Sequence, residues 1–203
     1  MKKNKLSFLS VQEELLHREV SLFTLGDFLL IFDASPARTK YFLETSVRRG
    51  FLVRPRKGLY ALKSRFPSEE EIAGALYRPS YISFEYAMGK HNIIPEMVYE
   101  ITSATTKPTR TFPVAGKIFT YTTIKKAAFT GYSLVKSGTR NSYLADPEKS
   151  LTDYLYLVSL GKKSLNERLN LSRLNKNKVD GYAKLYDRPG LLKLIDKLCF
   201  PKK

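Results

Sequence analysis

The feature that most constrains this chain is a fixed order of local signals in its first 65 residues: three helix starts and then one β-hairpin. Each start pairs an N-cap residue with a residue that suits the first helical turn. In chain order, the starts are Ser10 with Glu13, Thr24 with Asp27, and Ser35 with Pro36. We expect the third helix to extend to about residue 49 and to end at Gly50, since glycine adopts the left-handed conformation that follows a helix.

A hairpin is expected directly after this helix. Two short β-prone runs, 51–54 and 59–62, flank residues 55–58, and Gly58 supplies the turn. Three helices followed by a basic hairpin is the order of a winged helix-turn-helix. We therefore predict an α+β chain with a winged helix-turn-helix DNA-binding domain over residues 1–65 and a mixed α/β domain over residues 66–203.

The third helix has two faces. We expect one face to pack on the first two helices, at Thr39, Phe42, Leu43, Ser46 and Val47. In this kind of module the N-terminal part of the third helix enters the major groove, and an arginine there can pair with guanine O6 and N7. Arg38 is the best base-contacting candidate. The predicted DNA-binding residues are Ser35, Arg38, Lys40, Tyr41, Arg48, Arg49, Arg54, Arg56 and Lys57.

Each of these side chains also fits an ordinary solvated position, and Tyr41 equally fits packing at the edge of its helix. The overall charge favours a polyanionic partner. The chain has 35 Lys and Arg against 19 Asp and Glu, a net charge of +16. Residues 1–65 hold 13 basic and 6 acidic side chains, residues 66–159 hold 10 and 9, and residues 160–203 hold 12 and 4. The alternative is a charge excess that only keeps the chain soluble.

The C-terminal basic region contains six cations within 17 positions. They either extend contacts to the DNA backbone or dock on an acidic protein surface. These residues, a secondary basic surface in our prediction, are Lys162, Lys163, Arg168, Arg173, Lys176 and Lys178.

Further elements are predicted after a linker at Phe66 and Pro67. We expect helices from Ser68, over 83–91 and from Asp146, then two or three basic helices from Lys162. Strands are expected over 98–105, 109–114 and 117–124. Four cations on the strands and their connections form either a basic surface or a solvated sheet face: Lys107, Arg110, Lys125 and Lys126.

Several segments of the second domain resemble the C-terminal domain of AbiEi-type antitoxins of type IV toxin–antitoxin systems. They are residues 81–96, 98–103 with Lys107 and 109–112, and 145–157. The order of the N-terminal elements is similar as well, so that the resemblance covers residues 10–200. The chain departs from the family pattern at Ser150 and Thr152, where alanine and leucine are usual.

The resemblance implies a bacterial or phage-related antitoxin. Its N-terminal domain would bind inverted repeats in the promoter of its own operon and repress it. Its C-terminal domain would oppose a nucleotidyltransferase-like toxin without forming a stable complex with it. Two alternatives remain open: a transcriptional regulator whose second domain senses a ligand or protein, and an antitoxin that acts by binding a protein partner.

We do not expect an enzyme, a cofactor or a metal site. The sequence has no glycine-rich phosphate loop and no nucleophile elbow, and His17, His91 and Cys199 are too far apart for a structural zinc site. The loose cluster Asp146, Glu148, Lys149 and Asp153 fits a capped helix better than a nuclease. With no long apolar run and no recognisable signal peptide, we expect a cytoplasmic protein, a monomer or a weak dimer that cooperates on DNA.

Overall fold

Helices and strands alternate through the computed structural model, which describes residues 6–137 and 140–198. Cys199 lies outside these residues. The N-terminal elements are α1 Phe8–His17, β1 Leu22–Thr24, α2 Leu25–Phe32, α3 Pro36–Arg48, β2 Leu52–Arg56 and β3 Leu59–Leu62. The others are α4 Glu69–Leu76, β4 Ser80–Ile82, α5 Phe84–Lys90, β5 Ile101–Thr105, β6 Arg110–Val114, β7 Lys117–Thr123, β8 Tyr132–Ser137, β9 Arg140–Ala145, α6 Pro147–Ser159, α7 Lys176–Lys184 and α8 Pro189–Lys197. The chain is a mixed α+β protein, as predicted.

Most of the helix starts form as predicted, but the first does not. Helix α1 begins one turn early, because Ser7 is the N-cap and Ser10 occupies the third position of its capping box. The starts at Thr24 and Ser68 are capping boxes, and α3 and α6 begin with a proline in the first turn. Gly50 follows α3 with a φ of +74°.

The N-terminal strands form a small antiparallel sheet in the order β1-β3-β2. The hairpin of β2 and β3 was predicted, and Gly58 at its turn has a φ of +80°. Strand β1 was missed because three residues are too short to show a period. The three helices pack on this sheet around a core of Val11, Leu15, Phe23, Phe28, Leu43, Leu52, Tyr60 and Leu62.

A second, six-stranded sheet has the order β6-β7-β5-β4-β9-β8. Strands β5 and β7 are parallel, as are β4 and β9, while the other pairs are antiparallel. The sequence did not predict β4, β8 or β9, and β5 begins at Ile101 instead of residue 98. Of the helices expected from Lys162, two form, α7 and α8, and the segment 162–175 has no helix.

One apolar core joins the two sheets. Leu22, Leu59 and Ala61 of the small sheet lie in the same buried cluster as Ile72 of α4 and Phe119 of β7. Strand β2 lies against β6, the edge strand of the larger sheet. The β2–β3 hairpin is therefore supported from behind by the second half of the chain.

Gly131, just before β8, fixes the approach of α7 to the sheet. It has a φ of +76°, and a Cβ there would lie 2.7 Å from two ring carbons of Tyr182. That ring is held in place, since the Tyr182 hydroxyl donates to Asp146 Oδ2 at 2.6 Å. Replacing Gly131 with alanine would add a side-chain clash to the strain of a left-handed alanine.

We expect Gly131→Ala to lower the free energy of unfolding by about 1–3 kcal/mol more than a matched glycine variant does. The matched variant is Gly116→Ala. Gly116 has a φ of +79°, and a Cβ added there would meet no other atom within 4 Å. Urea denaturation of both variants measures the difference. Equal losses would show that the Tyr182 ring moves aside freely.

Candidate nucleic-acid interface

Helix α3 presents the two faces that its sequence predicts. Thr39, Leu43 and Ser46 are buried, and Phe42 and Val47 pack against the N-terminal core. The predicted DNA-binding side chains of this region are all exposed: Ser35, Arg38, Lys40, Tyr41, Arg48 and Arg49. The exposed fraction of Tyr41 is 72%, which favours an open position over packing at the helix edge.

The open face of α3 forms one wall of a groove of about 660 Å³. Arg38 and Tyr41 of α3 line it, and so does Arg49 directly after the helix. The lining also includes Phe8 and Phe51, whose rings stack with their centroids 3.7 Å apart. The exposed arginines Arg38 and Arg49 therefore border a concave surface.

The cations of α3 and the hairpin keep their charge available. Within residues 6–137 and 140–198, no ion pair joins any of them to a carboxylate. They are Arg38, Lys40, Arg48, Arg49, Arg54, Arg56 and Lys57. An exposed cation without an ion pair inside the chain leaves its charge open to an external anion, so α3 and the hairpin carry much of the uncompensated positive charge of residues 6–65.

Arg56 also acts on the larger sheet. Burial raises the pKa of the Tyr121 hydroxyl in β7, and the charge of Arg56 opposes this rise. The guanidinium thus lies near Tyr121, although Arg56 is exposed like Arg54 and Lys57. The hairpin is a docked element with one exposed side, not a free arm.

The C-terminal basic region is largely neutralised within the chain. Four of its six cations form ion pairs: Lys163 with Glu85, Arg168 with Glu96, Lys176 with Asp180 and Asp196, and Lys178 with Asp146 and Glu148. The hydrogen bond to Asp180, and then that to Asp196, raises the pKa of Lys176. In the described part of the chain only Lys162 and Arg173 of this set have no such partner. The six residues do not form one uniformly available basic surface.

Lys178 pairs with two carboxylates at the start of α6, and reversing its charge tests whether this pairing stabilises the protein. Its Nζ lies 3.9 Å from Asp146 Oδ2 and 3.5 Å from Glu148 Oε2. We expect Lys178→Glu to lower the free energy of unfolding by roughly 1 kcal/mol, because three carboxylates would then lie together at the start of α6. Thermal denaturation of this variant and of the control Lys162→Glu measures the effect. A control that loses as much stability would contradict the local explanation.

The residues of the loose carboxylate cluster at α6 have two structural roles, since Asp146 and Glu148 anchor the start of the helix and Asp153 forms a buried ion pair. Asp146 caps the helix by accepting from the Lys149 amide at 2.7 Å, and Glu148 accepts from the Asn175 amide at 3.1 Å. Lys149 and Asp153 are fully buried and paired with each other. The arrangement is that of a capped, anchored helix.

Asp153 is the centre of a buried hydrogen-bond network. The hydroxyls of Tyr81 and Ser83 donate to its Oδ2 at 2.8 and 2.7 Å, and the Tyr186 hydroxyl donates to Oδ1 at 2.5 Å. Lys149 Nζ donates to the same Oδ1 and lies 3.3 Å from the Tyr186 hydroxyl. Burial first, and then the charge of Asp153, raises the pKa of both tyrosines, so they remain hydrogen-bond donors.

The network joins segments that are far apart in the sequence. Tyr81 lies in strand β4 and Ser83 precedes α5, while Lys149 and Asp153 lie on α6. Two further hydroxyls of α6 are satisfied within the helix, because Ser150 donates to the Pro147 carbonyl at 2.8 Å and Thr152 to that of Glu148 at 2.7 Å. The sequence missed the network, since only the spacing of Lys149 and Asp153 hints at it.

Comparison with models of known protein families found no match for this chain, and a search of curated proteins found none either. Across residues 6–137 and 140–198, no helix combines the length and the apolar character needed to cross a membrane. In the same residues, no three His, Cys, Asp or Glu side chains come close enough together to hold a metal ion.

Proposed function

We propose that this protein binds double-stranded DNA through a winged helix-turn-helix formed by residues 1–65. In this assignment α2 and α3 are the helix-turn-helix, and the β2–β3 hairpin is the wing. The order α1-β1-α2-α3-β2-β3, with β1 paired to β3, supports it. The observation that carries the proposal is the set of exposed cations on α3 and the hairpin, which have no ion pairs in the described part of the chain.

Arg38 is the side chain that we propose contacts a base. It is the third residue of α3 and is exposed beside the groove. An arginine near the N-terminus of a recognition helix reaches the major-groove edge of guanine. Lys40, Tyr41, Arg54 and Lys57 would contact phosphates or thymine methyl groups, which position the module without specifying sequence.

The second half of the proposal is that the protein is an antitoxin which represses its own operon in the cytoplasm. Its support is the resemblance of residues 81–96, 98–103 with Lys107 and 109–112, and 145–157 to AbiEi-type antitoxins. The partner would be a nucleotidyltransferase-like toxin encoded next to it. The resemblance also implies that the chain opposes this toxin without forming a stable complex with it. This part of the proposal rests on the resemblance alone, because an antitoxin activity is not readable from a fold.

A promoter–reporter assay tests repression. The region upstream of the gene drives a reporter in cells that express the full chain, the variant Arg38→Ala/Arg54→Ala, or the control Lys162→Ala/Arg173→Ala. We expect the chain and the control to lower reporter output, and the first variant to restore it. Equal output with and without the full chain would contradict autorepression.

Co-expression with the neighbouring gene product tests the antitoxin role. We expect the chain to restore growth that the neighbour inhibits, and a tagged chain not to retain the neighbour on a column. Rescue with stable retention would favour the antitoxin that works by binding its partner. An absent toxin gene would favour a regulator whose second domain senses a ligand or protein.

A further inference from the structure

A cavity of about 620 Å³ lies where the segment after β3 meets the second half of the chain. Its apolar lining comes from Phe66 and Pro67 of that segment, Ile72 of α4, Val114 of β6 and Phe119 of β7. Sites for small molecules in proteins occupy roughly 300–1,000 Å³ and are lined mostly by apolar side chains with a few polar groups. The size and the walls of this site, which we call the junction cavity, therefore suit a small molecule.

The polar part of the junction cavity has more acceptors than its central donor can serve. The Tyr86 hydroxyl lies 2.9 Å from Glu69 Oε2 and 2.9 Å from Glu70 Oε1. A phenol carries one proton, so it donates fully to only one of these oxygens at a time. Burial first, and then the hydrogen bond to Glu69, raises the pKa of Tyr86, so the proton stays on the phenol. The oxygen that does not receive this proton keeps a lone pair for another donor.

The charges around these acceptors are balanced. Lys117 pairs with Glu69, and Lys90 pairs with Glu70 at 2.7 Å. Both lysine side chains are about half exposed, so they neutralise the two carboxylates from the solvent side. An occupant of the cavity therefore needs a hydrogen-bond donor more than it needs a particular charge, and a carboxylate or phosphate head group would meet two carboxylates.

The junction cavity borders the apolar core that supports the hairpin. Ile72 and Phe119 line the cavity and also belong to the buried cluster that contains Leu59 and Ala61 of β3. Strand β3 pairs with β2, so these two contacts lie directly behind the hairpin. A molecule that fills the cavity would pack against the same side chains on which the hairpin rests.

We propose that the junction cavity binds a small molecule with an apolar body and a hydrogen-bond-donating head group, an ammonium or a hydroxyl. The body packs on Phe66, Ile72 and Phe119, and the head group donates to the carboxylate oxygen that Tyr86 leaves open. Occupancy holds the core behind the hairpin in one arrangement, so the hairpin loses less freedom when DNA binds. Ligand binding is independent of DNA, whereas the effect on DNA affinity rests on the proposed function.

Three probes with one apolar body test the binding: naphthylethylamine, naphthylethanol and the methyl ether of this alcohol, which has no donor. The chain contains no tryptophan, so a titration can follow the naphthyl fluorescence. The variants are Phe66→Ala, which removes an apolar wall, and Glu69→Gln/Glu70→Gln, which removes the carboxylates. The control is Leu134→Ala on the edge strand β8, since Leu134 is 46% exposed and Phe66 41%. Circular dichroism melting of each variant checks that it is folded.

We expect the wild-type chain and the control to bind the amine and the alcohol saturably, and the ether at least about 5-fold more weakly because one hydrogen bond is lost. Both cavity variants should weaken the amine and the alcohol by about 5-fold or more. No saturable binding of any probe to the wild-type chain would overturn the inference, as would wild-type affinity in Phe66→Ala. An ether that binds as tightly as the alcohol would overturn the proposed ligand class.

The effect on DNA is measured with naphthylethanol, since an uncharged probe does not compete for phosphates. We expect a saturating concentration to tighten binding of the wild-type chain to the upstream duplex and to leave Phe66→Ala unchanged. An unchanged wild-type affinity would overturn the coupling to the hairpin but not the ligand site. A chain that binds the probe but no DNA would overturn the proposed function and leave the ligand site standing.

Discussion

Asp153→Ala is expected to lower the free energy of unfolding by about 3–5 kcal/mol, the largest effect on stability that we predict. Asp153 accepts four hydrogen bonds in a site with no solvent exposure, and its removal leaves the Lys149 ammonium buried without a countercharge. The hydroxyls of Tyr81 and Ser83 also lose their acceptor. The β4 strand, the start of α5 and helix α6 are joined at this carboxylate, so the loss acts on the whole second half. Urea denaturation followed by circular dichroism measures it.

The matched control is Glu14→Ala. Glu14 and Arg18 also form an ion pair four residues apart on a helix, but their side chains are 38% and 52% exposed. Water solvates the arginine that remains, and we expect a loss below about 1 kcal/mol. Similar losses in the two variants would show that the buried network contributes no more than a surface pair does.

Replacing Arg38 with alanine is expected to have the largest effect on DNA binding. A bidentate arginine–guanine contact contributes about 1–3 kcal/mol, so we expect affinity for the upstream duplex to fall by roughly 5- to 150-fold. Arg38 is exposed on α3 and has no ion pair with another described residue, so stability should change little. Fluorescence anisotropy titrations on the upstream and unrelated duplexes give the two affinities.

Lys57→Ala at the hairpin turn is the comparison. A phosphate contact carries no sequence information, so this variant should lose affinity for both duplexes to a similar extent and should lower the salt slope by about 1. Arg38→Ala should instead reduce the ratio between the two affinities. If Arg38→Ala weakens binding to both duplexes equally, Arg38 contacts the backbone and the base contact must come from another side chain.

The N-terminal elements could be predicted because their signals are local. Thr24 with Asp27, Pro36 and Gly58 each act within a few residues, and the structure places a capping box, a helix start and a turn there. The error at α1 is of the same local kind. Ser7 and Ser10 form a capping box of two serines, whereas the box of Ser10 and Glu13 has the more familiar composition.

The exposure of the candidate interface was also predictable, because helical spacing alone places Thr39 on the apolar face of α3 and Arg38 outside it. The ion pairs that compensate the C-terminal cations could not be predicted. The sequence shows that Lys176 and Lys178 are basic, but only the fold brings Asp196, Asp146 and Glu148 to them.

Long-range pairing explains the other omissions. Strand β4 has three residues, and it is a strand because β5 and β9 pair with it on either side. Ser83 and Tyr186 contribute to the Asp153 network from positions 70 and 33 residues away, distances at which no sequence period operates.

The most direct test of the central claim is a titration of the wild-type chain on the duplex from its own upstream region and on an unrelated duplex, each at low and moderate salt. We expect the upstream duplex to bind at least about 10³-fold more tightly, and this preference to persist as salt weakens both. Equal, weak binding to both duplexes that disappears with salt would contradict the account. It would mean that the net charge of +16 attracts any polyanion, and that α3 and the hairpin do not form a DNA-reading module.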